Sequence, residues 1–409
     1  MKKLLTIALL VFTHTLIYAG GFQINEHGAR AMSMGGAFTA VANDPSAIFF
    51  NPAGLAQLKG THLMLGATFI TPSSSFRGPA PAVNEYKMVK QVFYPINLYG
   101  TYQLSKNVVV GLGVNNPYGL GTKWDDNWVA RFVTTESDLK TFFITPTVSY
   151  KISDDISVGW GLDFVYSQVT LKRKADLSPF AGEADVKLSG NGTGVGYRFG
   201  LLAKVTKELS VGFSFRSDVK ISFEGTAETK GPAQLQSNLP NGDVKTELTT
   251  PQNLTLGVAY KVLPQLLVSA DFQWVAWSSY RDLKVDFVDP KWPDLSSPRN
   301  YFDTYIVRLG GEYNLLSNVD LRGGIFFDKN PVRDPYLDPT LPDADRIGFN
   351  LGVGYKVNNN IKVDVAYMFL RFAERTITSS LVHYVGNTPL NGTYNSSSHL
   401  FGFNVSYNF

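Results

Sequence analysis

Apolar and polar residues alternate with a period of two along most of this chain. The clearest examples are segments 142–152, 347–355 and 361–369, in which apolar side chains occupy nearly every second position. In the last segment, apolar residues from Ile361 to Phe369 alternate with polar residues that include Lys362 and Asp364. Successive side chains of a strand point to opposite faces, so the pattern predicts strands with one apolar and one polar face.

A short motif, in which an apolar strand end leads into a tight polar turn and another strand, recurs six times. Five of the six copies begin with Tyr and the sixth begins with Ala203. The copies lie at residues 102–107, 150–155, 203–208, 260–265, 313–318 and 355–360. Longer polar connections alternate with these short turns. They lie near residues 71–91, 116–138, 173–192, 223–245, 278–303, 328–345 and 374–397.

Six short turns and seven long connections predict fourteen strands, with both chain ends on the short-turn side. An even strand count with alternating connection lengths is typical of an outer-membrane β-barrel. The apolar face then meets hydrocarbon, and closure removes the open sheet edges that lipid cannot satisfy. The fold class is therefore all-β, a transmembrane antiparallel barrel. The Tyr residues that open five turns are expected to form a girdle at the inner interface.

Composition agrees with a barrel that contacts lipid. Charged residues make up 17% of the chain, against about 25% in soluble domains, while Gly (37), Phe (28) and Tyr (20) are abundant. The net charge of +3 includes Lys2 and Lys3, so nothing indicates a nucleic-acid partner. There is no Cys, and no His cluster has metal-ligand spacing. The sequence predicts no metal and no cofactor.

Both ends of the chain carry expected targeting features. Residues 1–19 have two Lys, an apolar stretch and small residues at the end, which predicts a secretory signal peptide. The last strand, residues 401–409, alternates aromatic and polar residues up to Phe409. A terminal aromatic on such a strand resembles the recognition signal of the barrel-assembly machinery, which is therefore an expected partner. The alternative is that this strand simply faces lipid.

Residues 20–60 break the alternation and contain many small and apolar residues. A segment this apolar, placed before the first strand on the periplasmic side, can be sheltered inside the lumen. We predict that it is a plug, which we call the hatch (residues 20–60), and that residues 61–409 form the barrel. An open barrel of fourteen strands would leak small polar solutes, so a plug makes the pore selective.

Several stretches of the chain, in order, resemble one family. They are residues 21–26 (Gly-Phe-Gln-Ile-Asn-Glu), the motif Asn51, Pro52 and Ala53, and residues 117–120, 215–221, 277–278 and 342–346. These stretches resemble the outer-membrane long-chain fatty acid and hydrocarbon transporters, the FadL-like family. The resemblance implies fourteen strands closed by a hatch. It also implies that apolar substrates bind within the barrel and leave sideways where the third strand kinks inward.

The third strand is predicted from Val108 to about Asn115. The expected gap follows, at Asn115, Asn116, Pro117, Tyr118 and Gly119. Pro cannot donate to a strand ladder and Gly weakens one, so a break here is physically reasonable. An ordinary loop start is the alternative.

An outer capture site is expected in the connection 116–138, because the connection 173–192 is short compared with its counterpart in FadL. The capture candidates are Leu120, Trp124, Trp128 and Phe132, on a short amphipathic helix.

A hydrophobic ligand needs an apolar track through a lumen whose inward positions are mostly polar in sequence. The hatch candidates for this track are Phe22, Met32, Met34, Phe38, Phe49 and Phe50. The alternative is that these side chains only pack the hatch against the wall. A fatty acid carboxylate would also bind Arg, and parity places Arg198, Arg216, Arg308 and Arg346 in the lumen. These Arg residues could instead pair with Asp218, Asp271 or Glu312.

The leading hypothesis is a monomeric, passive transporter of long-chain fatty acids, since the chain has no nucleotide-binding motif. Uptake of aromatic or alkane hydrocarbons by the same route is the first alternative, and a general porin is the second. An enzyme is not expected, because no Ser or Asp is linked by a recognisable motif to His27, His62, His383 or His399.

Overall fold

The computed structural model describes residues 20–179 and 182–409, so the predicted signal peptide lies outside the described residues. The described chain forms a closed antiparallel barrel of fourteen strands, which confirms the predicted fold and strand count. The strands are β1 (Thr61–Arg77), β2 (Ile96–Gln103), β3 (Val108–Asn115), β4 (Glu136–Lys151), β5 (Ile156–Asp176), β6 (Glu183–Lys204), β7 (Leu209–Arg216), β8 (Asn253–Leu263), β9 (Leu266–Val275), β10 (Thr304–Leu316), β11 (Val319–Asp328), β12 (Arg346–Lys356), β13 (Ile361–Phe372) and β14 (Gly392–Asn408). The barrel closes where β1 pairs with β14, from His62 opposite Asn408 to Arg77 opposite Thr393.

The two faces of each membrane strand differ as the alternation predicts. On β12, Leu351 is 66% exposed on the outside, whereas its neighbour Asn350 is 2% exposed and faces the lumen. The five Tyr residues that open the short turns are all exposed on the outer face. Phe401, Phe403 and Phe409 are exposed in the same way along the last strand. The apolar surface therefore surrounds the barrel.

The short turns share a hydrogen-bonding scheme. In the first turn, the Ser105 hydroxyl accepts hydrogen bonds from the backbone N–H groups of Asn107 and Val108. Ser153, Thr206 and Asn358 accept corresponding bonds in three other turns. These short polar side chains mimic a backbone turn, which explains their presence in the repeated motif.

Several outer connections are shorter than predicted. The segments 173–192 and 223–245 were expected as connections, but β5 runs to Asp176, β6 begins at Glu183, and further strands continue outward. The outward extensions of the barrel wall are Glu85–Lys87, Gly119–Lys123, Val219–Lys230, Gly242–Thr250, Asp282–Phe287, Leu295–Pro298 and Arg375–Ile377. Polar residues cover their outer face, so the pattern of a lipid-facing strand is lost although the strand continues.

The helices are few and short. Two α-helices lie in the hatch, α1 (Ala29–Ser33) and α2 (Ala47–Phe50), followed by a 3-10 helix over Pro52–Gln57. Three further 3-10 helices lie in outer connections, at Gln236–Asn238, Trp277–Ser279 and Asp334–Tyr336. None of the helices in the described part of the chain is long and apolar enough to cross a bilayer.

The hatch packs against the inner wall of the barrel on several sides. Helix α1 contacts β11 to β14, and the 3-10 helix contacts β3 to β6. Asp271 on β9 accepts hydrogen bonds from the backbone N–H groups of Phe38 and Thr39, at 3.1 and 3.0 Å. Asn404 on β14 accepts one from Ala29 at 2.6 Å. The hatch therefore fills part of the lumen and is bonded to the wall at both β9 and β14.

Candidate functional site

The predicted hatch motif lies against the wall of β4, β5 and β6. The Asn51 side chain donates to the backbone oxygens of Thr39 and Leu201 and accepts from the Ala53 N–H, at 2.8, 3.1 and 3.2 Å. Pro52 occupies the first turn of the 3-10 helix, where its missing N–H costs nothing. The contacts of this motif hold the hatch to the wall.

The six hatch candidates for ligand contact differ in whether they reach open space. Met34, Phe38 and Phe50 lie in one buried cluster that joins the hatch to wall residues such as Tyr99. Met32 packs at the wall, where Gly402 of β14 leaves room for its sulfur. Phe22 and Phe49 line cavities, and Phe50 also reaches the cavity that Phe49 lines. The structure therefore brings three of the six to open space.

An apolar cavity of about 100 Å³ lies in the outer half of the lumen, and we call it the outer cavity. Phe22 of the hatch contributes to it, but the wall supplies most of its lining. The wall residues include Leu120, Leu139, Val169, Leu171, Leu188, Phe223, Val244, Leu248 and Val285. The expectation that inward positions are mostly polar is therefore wrong for this half of the barrel.

The reversed alternation of the outward extensions explains that error. Along Val219–Lys230, Ile221 and Phe223 are buried toward the lumen while Lys220 and Glu224 are exposed. Outside the membrane the outer face meets water, so polar residues face out and apolar residues face in. This inverted pattern was the signal in the sequence from which the outer cavity could have been found.

Arg299 is a cavity residue that sequence reasoning missed. It lines the outer cavity with Tyr280 and Tyr301, and it is 8% exposed. Its guanidinium forms an ion pair with Asp338. Because Arg299 lies in an irregular connection, no strand periodicity marked it as an inward residue.

A second cavity, of about 650 Å³, reaches from the lumen to the outer face of the wall, and we call it the gap cavity. Its lumen side includes Phe22, Glu26 and Arg346, and its outer side includes Val92 and Tyr94. Val92 and Tyr94 are 55% and 68% exposed on the outside of the barrel. The wall between β2 and β3 is therefore incomplete at this point.

The predicted break after β3 coincides with this cavity. Asn115 still pairs with β2 and β4, but residues 116–118 leave the ladder before Gly119–Lys123 pairs again with β4. The Asn116 side chain accepts from the Ile96 N–H at 2.8 Å and donates to the Thr141 oxygen at 2.6 Å. The Asn116 side chain thus connects β2 to β4 at the point where the backbone of the chain after β3 leaves the ladder.

The hatch supplies backbone partners to the bent strand. The Ile24 N–H donates to the Pro117 oxygen at 2.8 Å, and the Gly119 N–H donates to the Phe22 oxygen at 3.0 Å. Tyr118 is turned into the lumen, where its hydroxyl donates to the Pro251 oxygen at 3.0 Å. The inward bend is therefore stabilised by the first residues of the hatch.

The four predicted inward arginines are in the lumen but differ in their partners. Arg198 pairs with Asp163 and Arg346 pairs with Asp328, at 2.6 and 2.7 Å. No carboxylate in the described part of the chain lies within 4.0 Å of the Arg216 or Arg308 guanidinium. Both line a small cavity of about 40 Å³ with Phe49, Phe50 and Asp271. We call it the arginine cavity.

The anticipated acidic partners have other roles. Glu312 pairs with Arg30 and Arg322, at 2.8 and 2.6 Å. Asp271 binds hatch N–H groups, and Asp218 is exposed. The Arg216 guanidinium instead lies 5.3 and 5.4 Å from the ring centres of Phe49 and Tyr118. Arg216 thus faces two aromatic rings, and Arg308 lines the same cavity with Asp271 beyond ion-pair distance.

The expected outer capture helix is absent from residues 124–134, which form turns. Trp124 and Trp128 stack on each other at 4.3 Å and are buried, and Phe132 is half-buried beneath Arg131. Leu120 lies on the strand segment and lines the outer cavity. The helix prediction was wrong because the two Trp side chains pack into the outer wall and organise the turns around them.

Fold and site together define an outer-membrane transport barrel whose lumen is filled by the segment that precedes the first strand. Residues 10–409 match the family described as outer membrane protein transport protein (OMPP1/FadL/TodX). The chain belongs to this family, and the outer membrane is its location. The resemblance found in the sequence is thereby confirmed.

Individual relatives agree with this assignment. The long-chain fatty acid transport protein of Salmonella typhi is 25% identical, over 100% of this chain and 98% of that protein. A Pseudomonas aeruginosa FadL homologue superposes with a TM-score of 0.86 at 20% identity, over 95% of this chain and 100% of that one. The Pseudomonas putida toluene transporter TodX gives a TM-score of 0.75 at 19% identity, over 94% and 98%. At these identities, the two structures support the fold alone.

Proposed function

We propose that this chain is a passive transporter of long-chain fatty acids across the outer membrane. The ligand enters from outside, binds in the outer cavity, and leaves sideways into the membrane through the gap cavity. The observation that carries this proposal is the gap cavity, which has lumen residues at one end and exposed lipid-facing residues at the other. Phe22 lines both cavities and links the two parts of the path.

The arginine cavity supports a ligand with an acidic headgroup. Buried cations are usually paired, because removing a lone charge from water is costly. Arg216 and Arg308 have no carboxylate partner among the described residues, and Phe49 beside them offers an apolar surface. Asp271 lines the same cavity, so the carboxylate of one fatty acid would neutralise the remaining positive charge, while its acyl chain lies along the apolar wall. We assign Arg216 and Arg308 to the headgroup, with Arg346 at the edge of the path.

Uptake of aromatic or alkane hydrocarbons is the alternative substrate class. The outer cavity favours it, because its lining is almost wholly apolar and Arg299, the one cation among the described lining residues, is paired with Asp338. A neutral hydrocarbon would need no contact with the arginine cavity. The two substrate classes therefore differ in their dependence on Arg216 and Arg308.

The test is uptake into liposomes that contain the purified barrel, with a linear fatty acid, toluene and a small sugar as separate probes. The proposal expects fatty acid uptake above that of empty liposomes and no sugar uptake. Replacing both arginines (Arg216→Met and Arg308→Met) should weaken fatty acid uptake about tenfold or more and leave toluene unchanged, since a charged hydrogen bond contributes about 1.5–3 kcal/mol. The exposed residue Arg281, changed to Met, serves as the matched control.

The outcomes separate the hypotheses. Equal loss of fatty acid and toluene uptake would show that the arginines support the structure rather than a headgroup. Toluene uptake without fatty acid uptake in the unaltered barrel would establish the alternative. Sugar uptake at the rate of fatty acid uptake would indicate a general porin. Mass spectrometry of apolar molecules that co-purify with the barrel gives an independent identification.

Partners other than the ligand are also part of the proposal. The exposed apolar face would contact outer-membrane lipid around a monomeric barrel. Phe409, which directly follows β14 and is 74% exposed, would present the signal that barrel-assembly machinery reads. These interactions concern insertion of the barrel, so they are independent of the substrate.

A further inference from the structure

The segment that crosses the gap cavity is residues 88–95, which precede β2. Phe93 is held to β1 by two backbone hydrogen bonds with Ile70, at 2.8 and 2.9 Å. Its neighbours Val92 and Tyr94 are exposed on the outside of the barrel. Since side chains alternate along an extended segment, the Phe93 ring points inward, toward the bent strand Gly119–Lys123. The ring is therefore fixed in place by the backbone on the far side of the gap.

Two glycines of the bent strand face this gap. A Cβ atom added to Gly121 would lie 1.9 Å from the Phe93 ring, so the ring rests directly on the Gly121 backbone. A Cβ atom added to Gly119 would lie 2.9 Å from the Cδ1 atom of Ile24 in the hatch. Because each glycine lacks a Cβ atom, one apolar side chain packs directly on its backbone. Together, Phe93 and Ile24 occupy the space between the strand edges.

Few backbone bonds hold the edges together around these side chains. The β2–β3 ladder ends at Asn97 opposite Asn115, and the next backbone bond in the described chain joins the Val89 N–H to the Lys123 oxygen at 2.7 Å. Between them, the Asn116 side chain provides the only direct hydrogen bond from the described residues of one edge to the other. A ring that rotates here breaks no hydrogen bond. Closure of the gap therefore depends on side-chain packing.

We propose that Phe93 is the gate of the lateral exit, and that its ring, packed on Gly121, limits the width of the molecules that can leave. A linear acyl chain passes when the ring rotates aside, while bulkier apolar molecules are held back. This inference rests on the proposed function, because it names the residue that selects among ligands on the lateral path. Ile24 of the hatch, packed on Gly119, forms the second side of the gate.

The test compares two fatty acid probes in liposomes, a linear chain and the same chain carrying a pyrene group. Phe93→Ala should raise uptake of the pyrene probe relative to the linear one by about tenfold, and Phe93→Trp should lower it. Gly121→Ala places a methyl group where the Phe93 ring packs. It should therefore raise uptake of the pyrene probe relative to the linear probe, as Phe93→Ala does. In the Phe93→Ala background, Gly121→Ala should have no further effect, because the ring it displaces is already gone.

Matched controls are available on the neighbouring strands. Gly100→Ala on β2 adds a Cβ that meets no atom within 4 Å, so it tests for a general effect of replacing glycine. Phe69→Ala on β1 removes an exposed lipid-facing ring, so it tests for a general effect of losing an aromatic residue. Neither should change the ratio of the two probes. A difference in electrophoretic migration between heated and unheated samples of each variant verifies that the barrel has folded.

The outcomes distinguish failure of the Phe93 gate proposal from failure of the transport proposal. Uptake of both probes by the unaltered barrel, with an unchanged ratio in folded Phe93→Ala and Gly121→Ala variants, would overturn the gate and leave the transport proposal intact. No uptake above empty liposomes by the unaltered barrel would overturn both. Additive effects of the two substitutions would also contradict a shared role of Phe93 and Gly121.

Discussion

Asp343 holds the first residues of the hatch from the outer side of the barrel. It lies in the connection between β11 and β12, is 2% exposed, and accepts a hydrogen bond from the Gly21 N–H at 2.5 Å. Burial raises its pKa to about 7, although the charge of Arg346 and the Gly21 hydrogen bond lower it. Burial also raises the pKa of Asp345 to about 7. Asp343, which contacts the hatch, and Asp345 in the same connection therefore titrate near neutral pH.

The stability of the fold depends on pH because the folded and unfolded chains bind the Asp343 proton with different affinity. An Asp whose pKa is raised in the folded state binds its proton more tightly there than in the unfolded chain. Stability is therefore highest at low pH and falls as pH rises from about 4 to about 7, and for the buried Asp343 the loss is about 1.4 kcal/mol per pH unit over this range. We expect the thermal unfolding temperature in detergent to be lower at pH 8 than at pH 5.

Asp343→Asn is the variant that isolates this residue. It keeps a side-chain oxygen for the Gly21 N–H but cannot ionise, so the difference in unfolding temperature between pH 5 and pH 8 should shrink. Part of the difference should remain through Asp345. Asp126→Asn, at an exposed carboxylate, should not alter it. An unchanged pH dependence in Asp343→Asn would contradict the assignment.

For single residues, the sequence predicts which face of the barrel wall a side chain points to better than it predicts which groups that side chain binds. Parity along the strands placed Arg198, Arg216 and Arg308 in the lumen, and all three are buried there. Their partners could not be predicted, because the contacts depend on the positions of separate strands and of the hatch. Arg198, for example, binds both Asp163 of β5 and the Ile48 oxygen of the hatch. Residues in irregular connections, such as Arg299, had no periodicity to place them.

At the element scale, the Asn51 motif shows how a short stretch of chain holds the hatch. Beyond the three hydrogen bonds of the Asn51 side chain, the Ala53 oxygen accepts from Ser149 and Ser157 of the wall, at 3.1 and 2.9 Å. Gly159 is needed beneath the motif, since a Cβ there would lie 2.3 Å from the Pro52 carbonyl carbon. Wall and hatch are therefore complementary in shape as well as in hydrogen bonding.

Asn51→Ala should loosen this contact. The change leaves the Thr39 and Leu201 oxygens and the Ala53 N–H without their side-chain partner, at a cost of about 1–3 kcal/mol. We expect faster proteolytic cleavage of the hatch and more frequent opening events in single-channel recordings, while the barrel itself stays folded. Gln57→Ala, at a half-buried site on the same 3-10 helix, should leave both measurements unchanged. Cleavage as slow as in the unaltered protein would contradict this role.

Elements in contact with lipid were predictable, and those outside it were not. Hydrocarbon forces strict alternation, so β3 could be placed at Val108–Asn115 from sequence, with the bounds that the structure shows. Beyond the membrane that constraint is lost, and β5 and β6 continue through residues expected to be a connection. The predicted helix around Trp124 failed for the same reason, because tertiary packing decides the conformation there.

At the scale of the whole molecule, the barrel must pass a hydrophobic ligand without passing water-soluble molecules. Two routes are compatible with the architecture: displacement of the hatch toward the periplasm, or exit through the wall with the hatch in place. The hatch is held by Asp271, Asn404 and the Glu312–Arg30 ion pair as well as by the Asn51 motif. Breaking all of these contacts for each ligand would be costly. Lateral exit requires only the rearrangement of apolar side chains.

A disulfide between hatch and wall distinguishes the two routes. A Cβ atom added to Gly402 of β14 lies 3.5 Å from the Ala29 Cβ, within the range that a disulfide requires, and the chain has no other Cys. With Ala29→Cys and Gly402→Cys joined by oxidation, lateral exit predicts fatty acid uptake within about twofold of the reduced protein. Each single Cys variant, treated with the same oxidant, controls for other oxidation. Loss of uptake that a reductant restores would show that the hatch must move, because the bond fixes the hatch and leaves the gap on the β2–β3 side unconstrained.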